Sequence, residues 1–132
     1  MFVPKQSASC THEEFLLAYT EAFSEFEAFQ RYFTATVRGC YISANFSSIK
    51  ENFELAEQYH KKVVAMLSQL SMRFSKKVEN KPLSRWDADE RGDNALLRGL
   101  QGTVSSMMNN LLTVYRPWLA EAQFVRSKED AP

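Results

Sequence analysis

The stretch that most constrains this chain runs from Thr11 to Cys40, where apolar side chains recur in alternating steps of four and three residues. This spacing predicts a helix of about eight turns, roughly 45 Å long, with one continuous apolar seam. The seam is mostly aromatic and consists of Phe15, Tyr19, Ala22, Phe26, Phe29, Phe33, Thr36 and Cys40. A helix cannot leave that much aromatic surface in water, so the remaining chain is expected to supply helices that cover it.

Two later stretches carry the same period and predict two more long helices. The second follows the short connection from Cys40 to Ser47, and a connection of this length favours an antiparallel neighbour. Its seam is Ile49, Phe53, Ala56, His60, Val63, Leu67, Leu70 and Phe74. The third seam is Leu97, Leu100, Val104, Met107, Leu111, Val114 and Trp118.

Each helix is expected to begin with a capping box, in which a Ser or Thr is followed three residues later by an acidic residue. The three candidate pairs are Thr11 with Glu14, Ser48 with Glu51, and Ser84 with Asp87. Gly39 is a natural stop for the first helix. The second helix is expected to end near Glu79, because Pro82 disfavours helical backbone just before it.

Pro117 lies inside the third seam and is expected to kink or end that helix between Thr113 and Arg116. Trp118 to Val125 would then form a short segment of its own. The predicted fold class is all-α: an antiparallel bundle of three long helices with a short or kinked C-terminal fourth helical segment. Residues 11–125 form this domain, after a disordered lead-in at residues 1–10 and before a frayed tail at residues 126–132. The pattern leaves open whether the third helix continues through Gly92.

Size and charge bound the function. The chain has 132 residues, enough for one core, and its 16 basic and 16 acidic residues cancel. The zero net charge removes the global argument for a nucleic-acid or membrane-surface partner. No apolar run approaches the roughly 18 residues of a membrane span. The start lacks the apolar core of a signal peptide, so a cytoplasmic location is expected, although a mature secreted chain would also lack that core. Cys10 and Cys40 lie at opposite ends of the first predicted helix and are expected to be free thiols.

Catalytic and metal-binding residue types are scarce. Glu57 and His60 have the Glu-x-x-His spacing of carboxylate-bridged metal bundles, but such a site needs two of these pairs and two further carboxylates. His12 is the only other histidine, and His60 lies on a seam, where a single polar residue commonly fixes register. No metal, cofactor or enzymatic activity is therefore predicted.

The width of the apolar arc suggests an interaction protein. Three helices need about one apolar stripe each, and a wider arc implies either a fourth covering segment or a partner surface. The residues predicted to bind a partner through apolar contact are Phe23, Tyr32, Met107, Met108 and Trp118. We therefore expect a non-enzymatic adaptor, inhibitor or small subunit that binds a protein partner or further copies of itself. The simpler alternative is that the segment from Trp118 to Phe124 covers the excess.

A basic cluster supports an alternative function. It comprises Arg73, Lys76, Lys77, Lys81 and Arg85, with Trp86 beside it. Cations next to an aromatic ring can hold a phosphate backbone and stack a base, so a nucleic-acid-binding small subunit is the second hypothesis. The same cluster would also arise if these cations favour the helix C-terminus through its dipole and Trp86 simply covers the end of the bundle.

Overall fold

The computed structural model describes residues 10–42 and 45–130, and every long element in these ranges is helical. The helices are α1 (His12–Ile42), α2 (Phe46–Lys77) and α3 (Ala88–Asp130), with one 3-10 turn at Leu83–Arg85. Within the described part of the chain, none of them has the length and apolar character required to cross a bilayer. The predicted lead-in lies outside the described residues except for Cys10, whose side chain is buried.

Aromatic contacts join α1 to α2 in reverse order along the two helices. Phe15, near the start of α1, meets Phe74 near the end of α2, with ring centroids 6.0 Å apart in an edge-to-face arrangement. Phe29, in the middle of α1, lies 5.7 Å from the ring of His60. Edge-to-face aromatic pairs contribute beyond their buried area, so these contacts fix the register of the two helices as well as the core.

The third helix packs against both of the others. Tyr115 stacks face to face on Phe53 of α2, with centroids 3.7 Å apart, and burial raises the pKa of the tyrosine hydroxyl. Trp118 stacks on Phe46, the first residue of α2, at 5.5 Å. The late part of α3 therefore lies beside the beginning of α2.

Burial follows the predicted seams in α1 and α2 and departs from the prediction in α3. In α3 the buried apolar residues include Met108 and Tyr115, while Met107 and Val114 are only half-buried. Two successive steps of four, from Leu100 through Val104 to Met108, shift the seam by one position. A step of this kind realigns a heptad pattern with the straight 3.6-residue helix.

The third helix does not end at Pro117, and the separate fourth segment is wrong for this chain. The third helix runs through Gly92 and Pro117 without interruption and includes residues 126–130 of the predicted tail. Pro117 has no N–H to offer the carbonyl of Thr113, but both residues are exposed, so water can satisfy that oxygen. The packed rings of Tyr115 and Trp118 hold the helix on either side of the proline.

Of the predicted N-terminal caps, the first is confirmed. Thr11 Oγ1 accepts from the amide of Glu14 at 3.1 Å, and Glu14 Oε1 accepts from the amide of Thr11 at 3.0 Å. The box at Ser48 is wrong: α2 begins earlier, and Asn45 Oδ1 accepts from the Ser48 amide at 3.2 Å. Asparagine is among the best capping residues, which explains why it sets the boundary.

Gly39 does not stop α1, which continues to Ile42. Its role is close approach, because a Cβ placed there would lie 2.7 Å from Cγ1 of Ile49. The absence of a side chain at Gly39 lets the start of α2 pack directly on the α1 backbone.

Two glycine substitutions are expected to change stability in opposite directions. Gly39→Ala must displace Ile49 and should lower the free energy of unfolding by about 1–2 kcal/mol despite the better helix propensity of alanine. A Cβ at Gly99, inside α3, meets nothing within 4 Å. Gly99→Ala should therefore raise the free energy of unfolding by about 0.5–1 kcal/mol. Urea denaturation of the two variants tests this. Equal effects would show that Ile49 does not restrict position 39.

Candidate interaction surface

An open groove lies between the first turns of α1 and the last turns of α2. Its volume is about 980 Å³, and Leu17, Ala18, Met72 and Arg73 are among its lining residues. Leu17 is 65% exposed and Met72 is 71% exposed. Two large apolar side chains held this far into solvent in one groove form the feature best suited to bind a partner.

Charged side chains border this apolar pair with opposite signs on the two helices. Glu14 and Glu21 line the groove from α1, while Arg73 and Lys76 line it from α2, with Glu79 just beyond the end of α2. Nη2 of Arg73 lies 3.7 Å from Oε2 of Glu14, so the two helices are bridged at the groove. The surface therefore combines an apolar centre with an acidic border and a basic border.

The buried layer beneath the groove keeps it in place. The capping box of Thr11 and Glu14 sets the direction in which α1 begins. Cys10 and Phe15 are both buried, and Phe15 packs on Phe74. Burial raises the pKa of the Cys10 thiol, and both cysteines are free. The groove therefore lies directly over a packed aromatic layer.

The five predicted apolar contact residues do not form one surface. Met108 is only 8% exposed and belongs to the core, and Met107 packs against that core. Tyr32 stacks on Tyr59 with centroids 5.7 Å apart. Trp118 is half-buried on Phe46 and Tyr115, whereas Phe23 remains partly exposed beside Tyr19 and Phe26. Most of these side chains complete the packing of the three helices.

The predicted basic cluster is divided between the groove and the connection that follows α2. Arg73 and Lys76 line the groove. Lys81 Nζ donates to both carboxylate oxygens of Glu90, at 2.8 and 3.0 Å. Lys77 is half-buried and Arg85 is exposed. Two of the five cations therefore line the groove, and Lys81 is engaged by Glu90.

Trp86 covers the end of the core. Its ring meets Phe74 edge to face at 5.5 Å, and its indole Nε1 donates to the carbonyl of Lys81 at 3.1 Å. This agrees with the structural interpretation of Trp86 that the sequence left open.

Glu90 is the polar centre of this connection. It is 2% exposed, and its Oε1 accepts from the amide of Asp87 at 2.9 Å, while Asp87 Oδ1 accepts from the amide of Glu90 at 2.8 Å. The ammonium of Lys81 and the Asp87 amide hold the pKa of Glu90 below its usual value. The capping box of α3 is thus Asp87 with Glu90, and the predicted pair of Ser84 with Asp87 is wrong.

Both histidines have packing roles. His12 Nδ1 donates to Oδ2 of the buried Asp93 at 3.0 Å, which raises the pKa of the histidine. His60 packs on Phe29, and burial lowers its pKa. Among residues 10–42 and 45–130, no group of three or more His, Cys, Asp or Glu side chains is arranged to hold a metal ion.

No protein-family model matches this chain, and neither a curated protein nor a solved structure matches it. Inferences about function therefore depend on the geometry alone.

Sequence reasoning missed Leu17 and Met72, the two most exposed apolar side chains of the groove. The signal was available, because each lies outside the seam of its own helix, with Leu17 two positions after Phe15 and Met72 two positions before Phe74. An apolar residue on the face opposite a clear seam has no core to enter and therefore indicates surface contact.

Proposed function

We propose that this chain is a non-enzymatic protein–protein interaction module that binds through the groove between α1 and α2. The observation that carries the proposal is the exposure of Leu17 and Met72 in one groove. Covering a large apolar side chain contributes about 1.5–3 kcal/mol, so these two residues could supply a substantial part of a binding energy. The reverse order of contacts between α1 and α2 supports an antiparallel bundle as the scaffold.

The charges around the groove would give the interaction its orientation. A partner that presents cations towards Glu21 and anions towards Lys76 is favoured over the same partner turned around.

The nucleic-acid alternative has weaker support. Lys81 is committed to Glu90, and Trp86 covers Phe74, which removes a cation and the stacking ring from the cluster that motivated it. The remaining cations would give a salt-dependent contact to phosphate without a platform for a base.

The test is the capture of proteins, including untagged copies of this chain, from a native extract on tagged wild type and tagged variants. Leu17→Glu and Met72→Glu each place a charge at the apolar centre and should reduce specific capture by roughly 10-fold or more. Thr34→Glu is the matched control, since it adds the same charge at an exposed α1 position that does not line the groove.

Capture should persist with Thr34→Glu, and all three variants should retain wild-type helicity by circular dichroism. Equal capture by Leu17→Glu and wild type would show that binding does not use the groove. A nuclease-sensitive eluate whose yield is unchanged by either groove variant would instead favour the nucleic-acid alternative.

A further inference from the structure

The outward face of the α1–α2 pair is formed by two rows of exposed side chains. Each row repeats every seven residues, which is close to two helical turns, so its members share one side of the helix. The row on α1 is Leu17, Ser24, Arg31 and Arg38, and the row on α2 is Met72, Ala65, Gln58 and Glu51. All eight side chains are exposed.

Contacts within the chain show which residues of α1 and α2 lie at the same height along the helix axes. Each such height is called a level. Phe15 meets Phe74, and Phe29 meets His60, so a residue of α1 lies level with a fixed counterpart on α2. In the same register Leu17 lies level with Met72. Three further levels follow towards the other end of the face, pairing Ser24 with Ala65, Arg31 with Gln58, and Arg38 with Glu51.

Each level pairs side chains that attract or fit one another. The first level is apolar on both helices, and the second is small on both. The third pairs arginine with an amide, and the fourth pairs Arg38 with Glu51. The face is therefore complementary to the same face of a second copy when α1 of one copy is placed against α2 of the other.

A two-fold axis that runs along the groove, parallel to the helices, produces this match. It keeps every level in place and sets α1 of one copy against α2 of the other, as an isologous interface requires. Leu17 then faces Met72 of the second copy, and Arg38 faces Glu51 of the second copy. An axis across the helices would instead set α1 against α1 and bring Leu17 opposite Arg38.

We propose that the partner of this face is a second copy of the chain, in a two-fold dimer where α1 of each copy packs across α2 of the other. This inference rests on the proposed function and names its partner. The dimer covers the exposed Leu17 and Met72 of both copies and forms two Arg38–Glu51 contacts between subunits.

The test is the sedimentation equilibrium of the purified full-length chain and two charge-reversed variants. The wild type should form a dimer in equilibrium with its monomer, and the dissociation constant of this dimer should be measurable. Arg38→Glu sets two carboxylates against each other in both of these contacts, and Glu51→Arg sets two guanidinium groups together in both. Each variant alone should dissociate roughly 10-fold more readily.

An equimolar mixture of the two variants provides the decisive measurement. In a dimer of one Arg38→Glu chain and one Glu51→Arg chain, every facing pair is again of opposite charge. The mixture should therefore associate within about 3-fold of the wild type. Changes in the stability of either chain cannot produce this recovery, because no chain carries both substitutions. Ser105→Glu, at an exposed position of α3, should leave dimerisation unchanged.

Two results would overturn the inference. A mixture that associates as weakly as the separate variants would show that Arg38 does not face Glu51 across the dimer. A wild type that stays monomeric at all concentrations, while Leu17→Glu still reduces capture of a different protein, would reject the second copy as partner and retain the proposed function. Unchanged capture by Leu17→Glu would reject the proposed function itself.

Discussion

Phe74→Ala is expected to lower the free energy of unfolding by about 3–5 kcal/mol, the range for removing a buried phenylalanine ring. Phe74 is 1% exposed and meets Phe15 of α1 and Trp86 of the α2–α3 connection, both edge to face. The substitution therefore leaves a cavity where three parts of the chain converge. A domain is stable by about 5–15 kcal/mol, so the loss is a large fraction of the total.

Thermal melting followed by circular dichroism measures this effect, and the midpoint should fall by roughly 10–20 °C. In a Trp118→Phe background the remaining indole, Trp86, should also shift its emission to longer wavelength as its packing partner is removed. Phe124→Ala is the matched control, because that ring is 60% exposed in α3 and its loss should change stability by less than about 0.5 kcal/mol. Equal effects of the two substitutions would contradict the packing described for Phe74.

The buried face of each helix was predictable where the apolar periodicity extended over many turns. The seams of α1 and α2 hold in the structure because each repeats over about eight turns, and a surface of that size has to be buried. The α3 seam failed at Met107 and Val114, whose neighbours Met108 and Tyr115 are buried instead, because periodicity alone does not choose between adjacent apolar residues. The choice is made by α2, where Phe53 takes Tyr115 as its stacking partner.

The predicted end of the helix at Pro117 failed for a related reason. A proline weakens a helix locally, but contacts on both sides of it can maintain the helix axis when the freed carbonyl faces water. The rings of Tyr115 and Trp118 supply those contacts on α2. Which α2 residues these rings contact is known only once the register between α2 and α3 is fixed.

The candidate surface was less predictable than the fold. Sequence reasoning selected wide apolar arcs and a basic cluster, and the structure uses much of both internally, as Met108 and Lys81 show. The exposure of Leu17 becomes informative only when Met72 is placed beside it. Such pairing depends on the register between the two helices, and the sequence of either helix alone does not determine that register.

The capping signature was also ambiguous within one helix. Ser84 with Asp87 and Asp87 with Glu90 both have the required spacing of three residues. Tertiary contacts decide between them. Glu90 is the member that can also reach Lys81, while Trp86 seals the connection by donating to the Lys81 carbonyl. Ser84 is left inside the 3-10 turn.

Glu90 therefore gives the second large effect expected in this chain, and two substitutions separate its two roles. Glu90→Gln keeps an oxygen that can accept from the Asp87 amide but loses the ion pair with Lys81, so it should cost about 1–2 kcal/mol. Lys81 is partly exposed and can be hydrated when its partner is neutral, which limits this cost. Glu90→Ala also removes the helix cap and should cost about 2–4 kcal/mol in total. Glu121→Ala, at an exposed position of α3, is the control.

The pH dependence of the Glu90→Gln effect identifies its electrostatic part. The pKa of Glu90 is lower in the folded chain than its usual value of 4.5, so the carboxylate contributes stability that is fully present above that value. This contribution is lost as the pH falls through the lowered pKa, because the unfolded chain then binds the proton more readily. Urea denaturation should therefore show a constant difference between wild type and Glu90→Gln from neutral pH down to about pH 5, and a shrinking difference below it. A difference that stays the same at acid pH would show that the ion pair with Lys81 does not stabilise the α2–α3 connection.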